Sequence, residues 1–378
     1  MSDSIPPERL RRGSDAVYTP VELFSAVSEF ACQRASPRPC INQDLVDALA
    51  PLREYRFVIY GAQSHEGISY ARALSVIIGC PYKIETVEQA RALPQIGPKL
   101  EIKIAEFLDT GRIKEAIQVQ NDPEYKARAD LMTVHGVGYA AAADLYRDGF
   151  RKPSDLQNVP RYAKTLEYHD DIQIKIPRAE VESVANFIRI QLDKIEPGAH
   201  TVLCGGYRRG KAQSNDIDLL ITYPHQDGRE KFVLRRLVHR LEEKGFIPPD
   251  GRLHIQESAS FREGPDHKVS SQLDSLDHAF IIFRHPANGT TRHRDYWRRV
   301  DLIVCKWDTF GAAVVGWTGG TQFERDLRRW ADRRGKWKFD SGGLRDIDGR
   351  LIPTMTEKDV FRALGLDYLP PHLRCSDP

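Results

Sequence analysis

Gly205–Leu220, reading GGYRRGKAQSNDIDLL, is the stretch that decides the fold. A Gly-Gly turn, two arginines and a lysine precede two aspartates spaced i, i+2. Ile217–Ile221 is apolar apart from Asp218 and predicts a buried strand. Alternate side chains of a strand share a face, so Asp216 and Asp218 aim at one place. Two carboxylates aimed together repel unless a cation lies between them, and Mg²⁺, a hard ion with oxygen ligands, suits such a pair. The Gly205-Gly206 turn lets backbone N–H groups approach an anion, and Arg208, Arg209 and Lys211 add charge for phosphates. By itself the Asp-x-Asp pair is weak, because surface strands carry such pairs by chance. Joined to GG-x-RRGK it reads as metal plus polyphosphate, hence phosphoryl or nucleotidyl transfer.

The rest of the chain bounds that reading. Its 378 residues suffice for two to four domains, and 41% hydrophobic with 29% charged residues fits a globular protein rather than a disordered one. A net charge of +2 does not announce nucleic acid, so any DNA binding rests on local basic patches. Six scattered cysteines, Cys32, Cys40, Cys80, Cys204, Cys305 and Cys375, form no C-x-x-C pair and point to a reducing compartment. No run approaches the ~18 apolar residues of a membrane span, so no membrane is expected as a partner. The polar start, residues 1–19, reads as a flexible leader without a signal-peptide core, and Arg9, Arg11 and Arg12 are too few for an import signal.

From Pro20 to about Gly111 the periodicity is helical, with Leu23, Val27 and Phe30 on one face and Tyr70, Leu74, Ile77 and Ile78 on another. Two glycine turns each open a helix: Leu93-Pro94-Gln95-Ile96-Gly97-Pro98-Lys99 and Val134-His135-Gly136-Val137-Gly138-Tyr139. Such helix-hairpin-helix turns expose N–H groups that bind a DNA phosphate without reading sequence, through Gly97, Gly136 and Gly138. One alone is often only a connection between helices; two ahead of a nucleotidyl-transfer motif favour DNA. Lys99 and Lys103, at i and i+4, share a helix face. They read either as solvated lysines or as a Schiff-base pair in which one cation lowers the other's pKa. Further on, helices are predicted at Arg178–Lys194 and Lys231–Lys244, and strands at Thr201–Cys204, Leu253–Gln256 and Ala279–Phe283. A polar insert, Ser258–Leu276, lies between the last two. Arg299–Val304 is another short apolar strand with one acid, Asp301. After it, Phe323, Leu327, Trp330 and Ala331 form one helical face, with Arg325, Arg328 and Arg329 off it, where phosphates and bases can meet them.

At GG-x-RRG…D-x-D the chain resembles the family X DNA polymerases. The run Ala31-Cys32-Gln33-Arg34, the stretch Gly316-Trp317-Thr318-Gly319 with Gln322–Arg329, the tail Gly365–Pro371 and the long insert resemble the polymerase mu and terminal transferase branch most. The resemblance implies that Asp301 completes a metal site with Asp216 and Asp218, holding two Mg²⁺ ions for which Mn²⁺ can substitute. It implies that Gly205, Gly206, Arg209 and Lys211 hold the triphosphate, and that Gly316, Trp317, Gly319 and Glu324 border the nucleotide. Arg299 would lie near the primer end. The first hairpin would grip the downstream strand and the second the primer strand, with a monovalent cation held by backbone carbonyls. Gly316 stands where polymerases beta and lambda carry a bulky residue, which implies tolerance of ribonucleotides. Lys103 takes the position of the lyase nucleophile of those two enzymes, and Lys99, His65 and Tyr70 match other residues of that pocket. Two departures count the other way. Glu66 stands where polymerase beta has a phosphate-binding lysine, and Ser214-Asn215 replaces the Gly-His that favours untemplated extension.

The expected fold is α+β and multidomain: an 8-kDa-like helical domain with the first hairpin at 20–119, a second helix-hairpin-helix subdomain at 120–177, a nucleotidyltransferase palm with a mixed β-sheet at 178–309, and an α/β C-terminal subdomain closing on the nucleotide at 310–378. The expected function is DNA-directed DNA polymerisation on primer–template, gapped DNA or broken ends with dNTPs or NTPs. Gap filling in end joining is the expected role, with base excision repair added if Lys103 works. The alternatives are a template-independent terminal transferase and, in another class, a DNA-end-binding scaffold with vestigial activity. The resemblance implies a nuclear monomer; end-joining factors are candidate partners, although the leader is too short for a BRCT domain.

Overall fold

The computed structural model describes residues 27–224, 228–256, 276–284, 296–334 and 337–378. The leader, Leu23 and all of the predicted insert except Leu276 lie outside these residues. Five helices come first: α1 (Gln43–Tyr60), α2 (His65–Ile78), α3 (Val87–Arg91), α4 (Pro98–Thr110) and α5 (Lys114–Gln120). Their ends are written locally. Ser64 Oγ accepts the Gly67 N–H at 3.0 Å, Thr86 and Gln89 form a capping box, and α4 begins with Pro98 behind Gly97 and stops at Gly111, whose φ is 71°. Leu45, Leu49, Leu74, Ile77, Leu100 and Ile104 meet in one core, each such burial stabilising by roughly 1.5–3 kcal/mol.

The helical face predicted through Val27 and Phe30 does not form. Among the described residues of that stretch, Ala31–Gln33 makes a single 3₁₀ turn, and Pro37 and Pro39, which lack a backbone N–H, follow it. Val27 joins the core of α1 and α2, whereas Phe30, Ala31 and Cys32 pack into the core of the C-terminal part.

Helices α6 (Pro123–Leu131), α7 (Tyr139–Arg147), α8 (Pro160–Leu166) and α9 (His169–Gln173) follow, with Leu131, Val134, Val137, Ala142, Leu156 and Tyr162 in a separate small core. Next come β1 (Ile176–Pro177), α10 (Arg178–Asp193), β2 (His200–Leu203), α11 (Gly205–Arg208), β3 (Gln213–Ser214), β4 (Ile217–Thr222), α12 (Val233–Glu243), β5 (Arg252–Gln256), β6 (Asp277–Phe283) and β7 (Arg298–Val304). β1 pairs with β3, and a five-stranded mixed sheet runs β2-β4-β7-β6-β5. Only β4 and β7 are parallel in it.

Period-two alternation separates the two faces of that sheet. Ile217, Leu219 and Ile221 of β4 and Val300, Leu302 and Val304 of β7 pack with Val184, Ile188, Leu234 and Leu237 from α10 and α12. On the other face Leu220 and Ile303 meet Phe310, Ala313 and Val314 of α13 (Phe310–Thr318). The chain closes with α14 (Thr321–Arg333), the three-stranded sheet β8 (Trp337–Asp340), β9 (Gly343–Asp346) and β10 (Leu351–Ile352), and α15 (Glu357–Ala363). No helix among the described residues is long and apolar enough to cross a membrane.

Candidate active site

Parallel register places Asp218 of β4 opposite Asp301 of β7. Both lie on the face that α13 covers further along the strands, and Asp216 shares that face because it precedes Asp218 by two residues. Asp301 is 2% exposed. Arg299 donates to it twice, Nε to Oδ1 at 3.0 Å and Nη2 to Oδ2 at 2.7 Å. The same Nη2 lies 3.0 Å from Asp216 Oδ2. Burial, then the charges of Asp216 and Asp301, push the Asp218 carboxyl well above the usual carboxylate range. Burial also raises Asp301, although the Arg299 bonds work against it. Burial alone would lower Arg299, but the bonds to Asp301 and the charges of Asp216 and Asp218 hold it above the ordinary arginine value.

The glycine turn is fitted to this cluster. A Cβ on Gly205, whose φ is 56°, would lie 1.8 Å from Asp218 Oδ2. Only glycine lets that carboxylate rest against the backbone. A Cβ on Gly206 would lie 3.1 Å from Lys211 Cδ. Arg209 donates to the Thr318 carbonyl at the end of α13. A Cβ on Gly319, φ 65°, would be 3.1 Å from Arg209 Nη1 and 3.2 Å from Glu324 Oε1. The tertiary structure thus brings Gly205, Gly206, Arg209, Lys211, Gly319 and Glu324 to one edge of the carboxylate cluster.

Arg208 does not join the phosphate-facing charges as expected. Its Nη1 and Nη2 donate to Glu357 at 2.9 and 2.6 Å, and Nη1 also reaches Thr318 Oγ1 at 3.1 Å. Glu357 in turn accepts from the fully buried Arg374 at 2.7 Å. A half-buried and a fully buried cation sharing one buried carboxylate make a structural tie between α11 and α15, so Arg208 is already neutralised. Gly316 also has a packing duty: a Cβ there would lie 2.8 Å from Ser341 Cβ. Trp317 packs against the core cluster that holds Cys204, Leu220 and Phe310. Its indole Nε1 is buried with no hydrogen-bond partner among the described residues, a donor that a bound ligand would satisfy.

The two hairpin turns present their backbones outward. Gly97 and Gly138 cap α4 and α7, and a Cβ at Gly97, Gly136 or Gly138 would meet nothing within 4 Å. The second turn reaches the carboxylate cluster: His135, Gly136, Gly138, Lys175, Asn215 and Arg299 all line one cavity of about 500 Å³. Burial, then the Arg299 and His254 charges, lowers His135. Lys175 donates to Asn215, so the residue replacing the expected histidine is already engaged. On α14, Arg325 donates to the Ala62 carbonyl at 3.2 Å, Arg328 to Glu324 at 3.1 Å and Arg329 to Asp326 at 3.0 Å. Arg329 is therefore tied to a buried acid rather than turned outward.

A second cluster surrounds Lys103. Its Nζ donates to Glu115 of α5, which also accepts from Arg56 of α1 at 3.0 Å. The Arg56 guanidinium stacks 4.1 Å over the Tyr70 ring of α2. Lys99 is exposed in the first turn of α4, and His65 begins α2. Glu115, Arg56 and Glu357 carried no motif in the sequence. Glu115 alone had a local cue, since it lies in the first turn of the helix that follows Lys103 across Gly111.

Among the described residues no three His, Cys, Asp or Glu side chains stand ready around a metal ion, and Arg299 lies bonded among the carboxylates instead. The donor set nevertheless fits a hard divalent cation: three converging carboxylates, two of them pushed up by burial and mutual repulsion, are what such an ion stabilises.

Family comparison agrees with this geometry. Models described as DNA polymerase beta thumb, DNA polymerase beta palm and helix-hairpin-helix domain match residues 313–375, 175–306 and 40–113. The chain is 33% identical over 363 residues to DNA-directed DNA/RNA polymerase mu of Homo sapiens, covering 91% of this chain and 71% of that protein. It is 32% identical over 366 residues to DNA nucleotidylexotransferase of Xenopus laevis, covering 91% and 70%. To DNA polymerase lambda of Arabidopsis thaliana it is 30% identical over 352 residues, covering 89% and 62%. A likeness that runs through the hairpin helices, the carboxylate sheet and the C-terminal part alike means that this chain belongs to the family X DNA polymerases.

Proposed function

We propose that this polymerase extends a primer 3′-hydroxyl by DNA-directed nucleotidyl transfer, filling short gaps at broken DNA ends in the nucleus. The observation that carries the reading is the register of Asp218 against Asp301, with Gly205 pressed on Asp218. Asp216, Asp218 and Asp301 would hold two divalent ions, Mg²⁺ or Mn²⁺ in its place, whose charge supports loss of the primer hydroxyl proton and departure of pyrophosphate. The Gly205 and Gly206 amides, Arg209 and Lys211 hold the triphosphate. Trp317, Gly319 and Glu324 border sugar and base. Arg299 stands between the carboxylates and the cavity, beside the primer end, and the second hairpin holds the primer backbone at Gly136 and Gly138. Gly316 supports ribonucleotide use, although its contact direction toward Ser341 gives it a packing role as well. We read residues 20–119, 120–177, 178–309 and 310–378 as the units that share this work.

Primer extension by the purified chain tests the reading, with Mg²⁺ and Mn²⁺ in turn and with dNTPs and NTPs. A one-nucleotide gap with a 5′-phosphate, an open template and a lone single strand are compared. Preference for the gap with correct pairing supports the proposal. Robust growth of the lone strand supports a template-independent transferase instead, against the engaged Asn215. No extension on any DNA leaves an end-binding scaffold.

A second activity has its own support. Lys103 is only 15% exposed at its side chain and donates to Glu115, which also accepts from the Arg56 stacked on Tyr70, in the helical N-terminal part. We propose that it removes a 5′-deoxyribose phosphate through a Schiff base, which base excision gap filling requires. Trapping the chain on such a DNA end with borohydride tests this.

A further inference from the structure

We propose that Glu115 is the general base of the Lys103 lyase site, taking the proton from the lysine and then the proton that drives elimination. The inference rests on the lyase reading of Lys103 and assigns the chemistry that reading leaves open. A lysine attacks an aldehyde only as a neutral amine, so its ammonium proton needs an acceptor. Lys103 Nζ donates directly to Glu115 Oε2. The acceptor is therefore in place, bonded to the proton it would receive.

The surroundings suit the carboxylate to that role. Glu115 Oε1 accepts from Arg56 Nη2 at 3.0 Å, and Arg56 is fixed by donating to the Leu52 carbonyl at 2.8 Å and by stacking on Tyr70. One oxygen of Glu115 is thus anchored while the other faces the amine. Burial alone would raise Glu115, but the bonds from Lys103 and Arg56 outweigh it and lower the carboxyl, which keeps it ionised. Its side chain is 37% exposed and that of Lys103 15%, so the pair borders solvent from which a DNA end can enter.

The steps balance without a further reactant. Glu115 accepts a proton from the Lys103 ammonium, and the amine nitrogen bonds to C1′ of the ring-opened sugar. Water leaves and an iminium remains. Glu115, having passed its first proton to the departing hydroxyl, then removes a C2′ proton. The electron pair forms the C1′–C2′ enamine and, in its β-elimination, expels the C3′ oxygen as the 5′-phosphate of the downstream strand. Glu115 passes the C2′ proton to the departing phosphate, and water hydrolyses the remaining iminium, returning Lys103 as the ammonium. The carboxylate that touches Nζ before reaction stays beside C2′ afterwards, because C2′ is bonded to the carbon that Nζ has joined.

The test separates bond formation from elimination, using the full chain and a duplex with a one-nucleotide gap bearing a 5′-deoxyribose phosphate. Borohydride trapping reports the Schiff base, and strand release without borohydride reports elimination. The unaltered chain is expected to do both and Lys103→Ala neither. Glu115→Gln is expected to trap more slowly, because solvent must then take the Lys103 proton, and elimination falls by about 10²-fold. Glu115→Ala is expected to regain elimination when formate is added, a rescue that a merely structural role would not give. Gap filling by both variants at the unaltered rate shows that the fold is kept. If Glu115→Gln eliminates as fast as the unaltered chain, or faster, Glu115 only restrains Lys103 and the proposal fails while the lyase reading stands. If the unaltered chain does not trap, the lyase reading fails and the role of Glu115 falls with it.

Discussion

Asp218 of β4 and Asp301 of β7 are direct neighbours across the one parallel pairing in the five-stranded sheet. The pairing sets two acids from distant parts of the chain side by side, and Arg299 spans from Asp301 to Asp216. Asp301→Asn keeps the shape of the side chain and removes its charge. Extension of a gapped primer is expected to fall at least about 10²–10³-fold, as when one preorganised electrostatic group is lost. DNA affinity measured by fluorescence anisotropy is expected to stay unchanged. An Asp301→Asn enzyme of normal rate would remove the carboxylate site from consideration.

Gly205→Ala tests the turn independently. The added methyl would press on Asp218 Oδ2, and the φ of 56° adds the left-handed cost of about 1–2 kcal/mol for a residue with a Cβ. The expected outcome is a strong fall in kcat for nucleotide addition with cooperative unfolding retained. A variant with normal kcat would mean that Asp218 can move away from the turn freely.

Glu357 ties Arg208 to Arg374. Glu357→Ala leaves two cations without their shared partner, and breaking a buried pair costs about 3–5 kcal/mol. Urea unfolding should show the loss, together with a raised KM for the nucleotide, because α11 carries the phosphate-facing amides.

The same residue sets a pH dependence. Burial opposes ionisation of Glu357, but the bonds and charges of Arg208 and Arg374 prevail, and its pKa lies below the ordinary glutamate value. A depressed folded-state value means that the contribution is complete above the unfolded pKa and is lost as pH falls through the folded one. Melting temperature followed from neutral pH downward is expected to fall less steeply in Glu357→Gln than in the unaltered chain. Parallel curves would show that Glu357 does not govern the acid limb.

Gly138→Ala addresses DNA. Its backbone is extended, with φ −85° and ψ 176°, and a Cβ there meets nothing, so the fold should tolerate the methyl. A phosphate approaching the start of α7 should not. Losing one amide–phosphate hydrogen bond, about 0.5–1.5 kcal/mol, weakens DNA binding roughly two- to tenfold with the melting temperature unchanged.

The sequence by itself determined what is local. The apolar run Ile217–Ile221 marked a strand, whose two-residue period put Asp216 and Asp218 on one face, and glycine and proline placed the starts of α4 and α7, because strand period and helix capping depend on residues a few positions apart. Tertiary structure decided which distant groups share a site. Arg208 meets Glu357 across 149 positions, and the Ala31 amide meets Asp326 across 295. With 55 Lys and Arg and 53 Asp and Glu in the chain, charge type alone cannot choose the partners; burial on packed elements does. That is why Arg208 read as a phosphate ligand and proved to be a structural tie, why Phe30 left its expected helix for the C-terminal core, and why Glu115 became visible only beside Lys103.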